Sequence, residues 1–185
     1  MTADIDTILL TAEEIDGRVR EMAREISRDY AGRTPLLIGV LKGVVLFMAD
    51  LLRAITIPVE VDFMAVSSYS AEAREEGLVR LVKDLEVPIT GRHVLFVEDV
   101  VDTGLTLNYL LRSLRARQPA SLEVCVLFNK PKRRLVDIPL RYTGFDLPDR
   151  LVVGWGLDYR ELYRNLPFVG LLKAGVFQED VEGGA

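Results

Sequence analysis

The chain alternates short unbroken apolar runs with stretches whose apolar residues recur every three or four positions, and this alternation narrows the possible folds more than any other feature. Leu36–Leu41 and Val94–Val97 carry no polar side chain, which suits strands buried on both faces. Val44, Met48, Leu51, Leu52 and Ile55 trace one helix face, and Leu107, Leu110, Leu111 and Leu114 trace another. Thr11-Ala-Glu-Glu14 fits a capping box, from which Ile15, Val19, Met22, Ile26 and Tyr30 carry an amphipathic first helix toward Gly32 and Pro35. Val59–Val66, Leu78–Val82 and Leu122–Phe128 read as further strands. Strand, helix, strand recurs, so the prediction is an α/β fold, a mainly parallel central sheet flanked by helices.

Sheets of this kind take ligands beyond the carboxyl ends of their strands. The turns after Leu41, Val97, Phe128 and Val153 are therefore the places to look for chemistry. With 185 residues and 49% hydrophobic content, the chain suits one domain spanning 1–185, with the Gly-rich segment 178–185 as a frayed tail. A net charge of -5 argues against nucleic-acid and anionic-membrane partners. Cys125 is the only cysteine, which rules out an intramolecular disulfide and fits a cytoplasmic location; its apolar surroundings predict core packing. MTADIDTILL lacks the pattern of a secretory signal, and Lys42 and Asp50 interrupt the longest apolar region, Leu36–Leu52. His93, the sole histidine, stands apart from every candidate site segment and is assigned no catalytic role.

The segment Val97–Thr106, VEDVVDTGLT, places Glu98, Asp99 and Asp102 beside the start of a helix. Charge alone would repel a phosphate there. A ribose diol, however, offers hydroxyl donors to carboxylates, and Mg²⁺ bridges oxygen ligands while cancelling repulsion. Thr103-Gly104-Leu105-Thr106 then supplies small and hydroxyl side chains at a helix N-terminus, where free amides bind phosphate. Taken singly, Asp102 or Thr103 serves equally well as an ordinary helix cap.

The whole segment VLFVEDVVDTGLTL resembles the phosphoribosyl-pyrophosphate motif of the hypoxanthine-guanine phosphoribosyltransferase family. The resemblance extends from about Leu10 to Leu172 through LKGV at Leu41–Val44, SSYS at Ser67–Ser70, NKPKRR at Asn129–Arg134 and the long run Gly144–Pro167. It implies the type I phosphoribosyltransferase fold with a small hood built from the terminal segments. It also implies transfer of a 5-phosphoribosyl group from phosphoribosyl pyrophosphate to N9 of a 6-oxopurine, hypoxanthine or guanine, in purine salvage, with Mg²⁺ as cofactor.

Residue roles follow from the same resemblance. Glu98 and Asp99 would hold ribose hydroxyls and metal, and the amides of Asp102, Thr103, Gly104, Leu105 and Thr106 would hold the 5-phosphate. Asp102 would also act as general acid/base at the purine. Lys42, Gly43 and Arg164 would receive pyrophosphate, and the Leu41-Lys42 bond falls where the family has a non-proline cis peptide. Lys130 would donate to the 6-oxo group, with Leu151, Val152 and Asp158 completing the purine side and Asp158 also reaching the metal. Ser68 and Tyr69 match a mobile loop that closes over the reaction. Leu151 departs from the pattern, because the family usually has an aromatic ring there, and Trp155 stands where it often has Tyr; core packing is expected for this Trp. The resemblance further implies a homodimer or homotetramer.

Other readings remain open at this stage. A phosphoribosyl-pyrophosphate-binding regulator would keep the acidic segment without turnover, and a transferase preferring xanthine would keep every motif. The joint presence of Lys42, Lys130, Asp158 and Arg164 favours an enzyme. Gly154-Trp-Gly156 lacks the third glycine of a dinucleotide-binding fingerprint, and no Walker A sequence occurs. The basic run Lys130–Arg134 has no interleaved aromatic residue that would suit nucleic acid.

Overall fold

The computed structural model describes residues 1–68 and 79–178. Its strands and helices run β1 (Ile5–Leu10), α1 (Ala12–Asp29), β2 (Leu36–Leu41), α2 (Val45–Ala54), β3 (Glu60–Ser68) and β4 (Val79–Lys83). They continue with β5 (His93–Val101), α3 (Leu105–Arg115), β6 (Ser121–Asn129), β7 (Tyr142–Asp146), β8 (Val152–Val153), β9 (Val169–Leu172) and α4 (Ala174–Gln178).

A six-stranded sheet in the order β4-β3-β2-β5-β6-β7 forms the centre. Its members pair in parallel except β4, which runs antiparallel to β3 at one edge. The two-residue alternation of a strand sorts the side chains onto two faces. Leu37 of β2, Leu95 and Val97 of β5, and Cys125 and Leu127 of β6 join one core with α1 and α2. Leu36, Ile38 and Val40, Val94 and Phe96, and Val124 and Val126 join the other with α3. Apolar side chains therefore cover both faces of the central strands, which is why their sequences are unbroken.

The predicted capping box at α1 is present. The Glu14 amide donates to Thr11 Oγ1 at 3.3 Å, and the Thr11 amide donates to Glu14 Oε2 at 2.8 Å. Ile15, Met22, Ala23 and Ile26 on the same helix are fully buried.

A second, three-stranded antiparallel sheet, β1-β9-β8, joins the two ends of the chain. It is the expected hood. Lys173 ties it down further by donating from Nζ to the Ala3 carbonyl at 2.7 Å and from its amide to the Asp4 carbonyl at 2.9 Å. Cys125 is fully buried in the core, where the apolar surroundings push its thiol pKa up. Tyr69, the rest of the segment 69–78, and residues 179–185 of the expected tail lie outside the described residues. Gln178, where that tail was expected to begin, still belongs to α4.

Candidate active site

The carboxyl ends of β2, β3 and β5 open into a cavity of about 530 Å³. Lys42, Gly43, Glu98, Asp99, Thr106, Asp158 and Arg164 line it together, although they come from three separated parts of the chain. A larger groove of about 660 Å³ lies between α1 and α2. There, however, Arg20 and Arg53 already pair with Asp16 and Asp50.

Glu98 and Asp99 lie within β5, three and two residues before its end, and so not in a turn as the sequence suggested. The strand continues to Val101 because its pairing with β6 persists through Val100↔Phe128 and Val101↔Asn129. Both acids open onto the cavity. Asp99 meets Gly43 of the β2–α2 turn, while Glu98 lines the same cavity.

Asp99 presses against Gly43 so closely that any β-carbon at Gly43 would overlap its carboxylate. Gly156 is in turn packed against the Gly43 carbonyl, with φ +98 and no room for a side chain. The two glycines let three chain segments meet around one carboxylate, and the Leu41-Lys42 peptide beside them is cis.

The acids are short of cations. Desolvation, then repulsion from Asp99, raises the Glu98 pKa well above the ordinary carboxylate range. Desolvation likewise pushes Asp99 up to about 6, against hydrogen bonds from the amides of Val100 and of Asp99 itself. Glu98 Oε2 is buried without a partner. Such an orphaned carboxylate is the mark expected of a site that waits for a cation or hydroxyl donors.

The helix start beside them is uncapped. Gly104 is the N-cap of α3, and no side chain accepts the first-turn amides in capping geometry; only a long 3.4 Å contact runs from the Leu105 amide to Thr103 Oγ1. The capping role for Asp102 is therefore not used. Instead, Asp102 Oδ2 pairs with Arg133 at 3.1 Å while Oδ1 is buried without a partner. Arg133 also reaches Asp149 at 3.4 Å, and Arg134 donates to the Asp102 carbonyl at 3.3 Å.

Across the cavity, Arg164 Nη1 pairs with Asp158 Oδ1 at 2.9 Å and donates to the Gly156 carbonyl at 2.8 Å. Its Nε is buried without a partner. Lys42 Nζ meets Glu161 Oε2 at 2.8 Å, and Glu161 Oε1 lies 3.3 Å from Arg164 Nη2. Sequence reasoning missed Glu161, because a lone acid in YRELYR looks like an ordinary solvated charge.

Lys130, Leu151 and Val152 do not line this cavity, and neither does Asp102. Lys130 follows β6, is 7% exposed, and donates from Nζ to the Arg150 carbonyl at 2.9 Å. Burial holds its pKa below the ordinary lysine value. Leu151 is exposed and Val152 is buried in β8. Trp155 packs against the main core as expected, with its indole nitrogen unpartnered. His93 sits at the opposite end of β5 from the acids and bonds Ser121 at 2.8 Å.

Among the described residues, no three His, Cys, Asp or Glu side chains are gathered as a metal centre. Asp158 is engaged by Arg164 and the Glu161 amide, which leaves Glu98 and Asp99 as the adjacent oxygen donors. Two hard, charge-deficient carboxylates suit Mg²⁺, which takes one or two protein carboxylates and keeps the rest of its shell for water and substrate. Ser68, expected in a mobile loop, instead ends β3, where its backbone pairs with Val79 of β4.

Comparison with known proteins agrees with the family resemblance. The phosphoribosyl transferase domain family matches residues 7–162. The chain is 50% identical over 182 residues to the hypoxanthine-guanine phosphoribosyltransferase of Mycobacterium avium, covering 95% of this chain and 90% of that relative. It is 45% identical over 178 residues to the Bacillus subtilis enzyme of the same name, covering 96% and 99%. Its fold superposes on a hypoxanthine phosphoribosyltransferase from Staphylococcus aureus with TM-score 0.92 at 43% identity, covering 96% of both chains.

Proposed function

Since the chain belongs to the hypoxanthine-guanine phosphoribosyltransferase family, we propose from that premise that it transfers the 5-phosphoribosyl group of phosphoribosyl pyrophosphate to N9 of hypoxanthine or guanine. The carrying observation is the pairing, in one cavity, of two charge-starved carboxylates beside an uncapped helix start with Lys42 and Arg164 opposite.

Bond breaking at the anomeric carbon leaves positive character on the ribose and negative charge on pyrophosphate, so groups fixed against both charges lower the barrier. Glu98 and Asp99 take the ribose hydroxyls and hold Mg²⁺. A metal held there would neutralise the negative charge gathered at the site. The amides from Asp102 through Thr106 take the 5-phosphate, to which the helix dipole adds. Lys42, the Gly43 backbone and Arg164 receive the leaving pyrophosphate.

On the purine side, Lys130 donates to the 6-oxo oxygen. Adenine offers a donor there and is refused. Leu151 and the Val152 backbone cover the base, and Asp158 closes the site toward the metal. As N9 forms its bond to C1′ and the bond from C1′ to pyrophosphate breaks, the free Oδ1 of Asp102 accepts the purine proton. Arg133 steadies the opposite oxygen.

We read 1–185 as a single catalytic domain working in the cytoplasm as a homodimer or homotetramer, without nucleic-acid or membrane partners. The net charge of -5 speaks against nucleic-acid and anionic-membrane partners, and no helix among the described residues is long and apolar enough to cross a membrane. The test is pyrophosphate release from phosphoribosyl pyrophosphate and Mg²⁺ with hypoxanthine, guanine, xanthine or adenine supplied in turn. Release with hypoxanthine or guanine is expected. Absence of release with every base refutes the assignment.

A further inference from the structure

The two cations assigned to pyrophosphate are already joined by one side chain. Glu161 offers Oε2 to Lys42 at 2.8 Å and Oε1 to Arg164 at 3.3 Å, so each carboxylate oxygen serves a different cation. Lys42 comes from the turn after β2, 119 residues away in sequence. Glu161 does not reach this position by chance of rotamer alone. Its amide donates to Asp158 Oδ2 at 2.9 Å, and Tyr159 and Leu162 exchange amide-to-carbonyl bonds at 3.2 and 3.0 Å around it. Its φ of 65 lies in the left-handed region, which a non-glycine residue holds only where the surroundings impose it.

Lys42 and Glu161 are both largely exposed to the cavity, at 69% and 63%. Nothing buried depends on their contact. A diphosphate that offers one oxygen to each of the same two cations cannot occupy that place while Glu161 does.

We propose that Glu161 is an internal, displaceable anion of the pyrophosphate subsite. It holds Lys42 and Arg164 in place before substrate arrives, yields them to the diphosphate, and takes them back as pyrophosphate leaves. This rests on the reading of Lys42 and Arg164 as pyrophosphate ligands. Glu161 thereby weakens pyrophosphate binding and favours release. Ion pairs made by an exposed carboxylate are weak, so removing both should tighten pyrophosphate binding only modestly, by about 3- to 10-fold.

The experiment is calorimetric titration of inorganic pyrophosphate, with Mg²⁺ present, into the wild-type protein, Glu161→Gln, Lys42→Met and the double variant. The neutral isostere should bind about 3- to 10-fold more tightly, with a lower KM for phosphoribosyl pyrophosphate and no gain in kcat. In the Lys42→Met background the same change should give a clearly smaller gain, because one of the two contacts it breaks is already gone. Equal or weaker binding by Glu161→Gln, or an undiminished gain in the double variant, overturns the proposal while leaving the subsite assignment standing. Failure of the wild-type protein to bind pyrophosphate overturns that assignment and the proposal with it.

Discussion

Replacing Asp99 by Asn should make the ligand-free protein more stable while destroying its use of phosphoribosyl pyrophosphate. The folded protein holds the Asp99 carboxyl near pKa 6, against 3.8 for an unhindered aspartate. A shift of about two units corresponds to roughly 3 kcal/mol. Because the carboxylate faces the water of an open cavity, about 1–2 kcal/mol is the better expectation. The sign follows from linkage. A raised acid pKa disfavours folding only when the group is ionised, so the penalty is absent below pH 3.8, grows between there and pH 6, and is complete above it. Asn does not titrate, keeps the oxygen that accepts from the Val100 amide at 2.8 Å, and escapes the penalty. Thermal melts across pH 4–8 should place the variant about 3–6 °C above wild type at neutral pH, with the gap closing as the pH falls toward 4. Adding Mg²⁺ and phosphoribosyl pyrophosphate should reverse the order, since only wild type gains from binding. A variant no more stable than wild type at neutral pH, or a gap independent of pH, refutes the reasoning.

Three further substitutions separate the two halves of the site. Asp102→Asn should lower kcat about 10²- to 10⁴-fold, the usual range for loss of a general acid/base, and change donor affinity far less; steady-state kinetics decide this, and unchanged kcat removes Asp102 from proton transfer. Lys130→Ala should lower kcat/KM for hypoxanthine by about 10- to 100-fold through loss of a charge-assisted hydrogen bond, with KM for phosphoribosyl pyrophosphate nearly unchanged. Adenine should lose relatively little, so an unaltered base preference counts against the assignment. Leu151→Phe should restore ring stacking on the purine and lower its KM by about 2- to 10-fold, as competition between bases will report.

The central strands were readable because β2 and the middles of β5 and β6 are buried on both faces, so those stretches had to be apolar. The helix capped at Thr11 was readable for a similar reason: one residue type at one spacing satisfies amides that nothing else reaches. β1, β7, β8 and β9 were not resolved as strands by pattern. β8 has two residues, β7 contains Gly144, and β1 exists only because β9 arrives from more than 150 residues away to pair with it. The site shows the same division. The DTGLT segment is a local motif in which neighbours in sequence are neighbours in space. Glu161 becomes meaningful only when Lys42 and Arg164 stand beside it. Gly156, dismissed as part of a broken dinucleotide fingerprint, matters because the Gly43 carbonyl leaves no room for a side chain. The acids were expected in a turn but lie in β5, since their own charge gave no sign that backbone pairing with β6 continues past them.

Identification of the product tests the central claim most directly. Purified protein, Mg²⁺, phosphoribosyl pyrophosphate and hypoxanthine should yield inosine 5′-monophosphate by mass spectrometry, one molecule for each molecule of hypoxanthine consumed and of pyrophosphate released. The same preparation should give no nucleotide with adenine. Pyrophosphate without nucleotide would mean hydrolysis of the donor, and no consumption of hypoxanthine or guanine under any Mg²⁺ concentration would contradict the account.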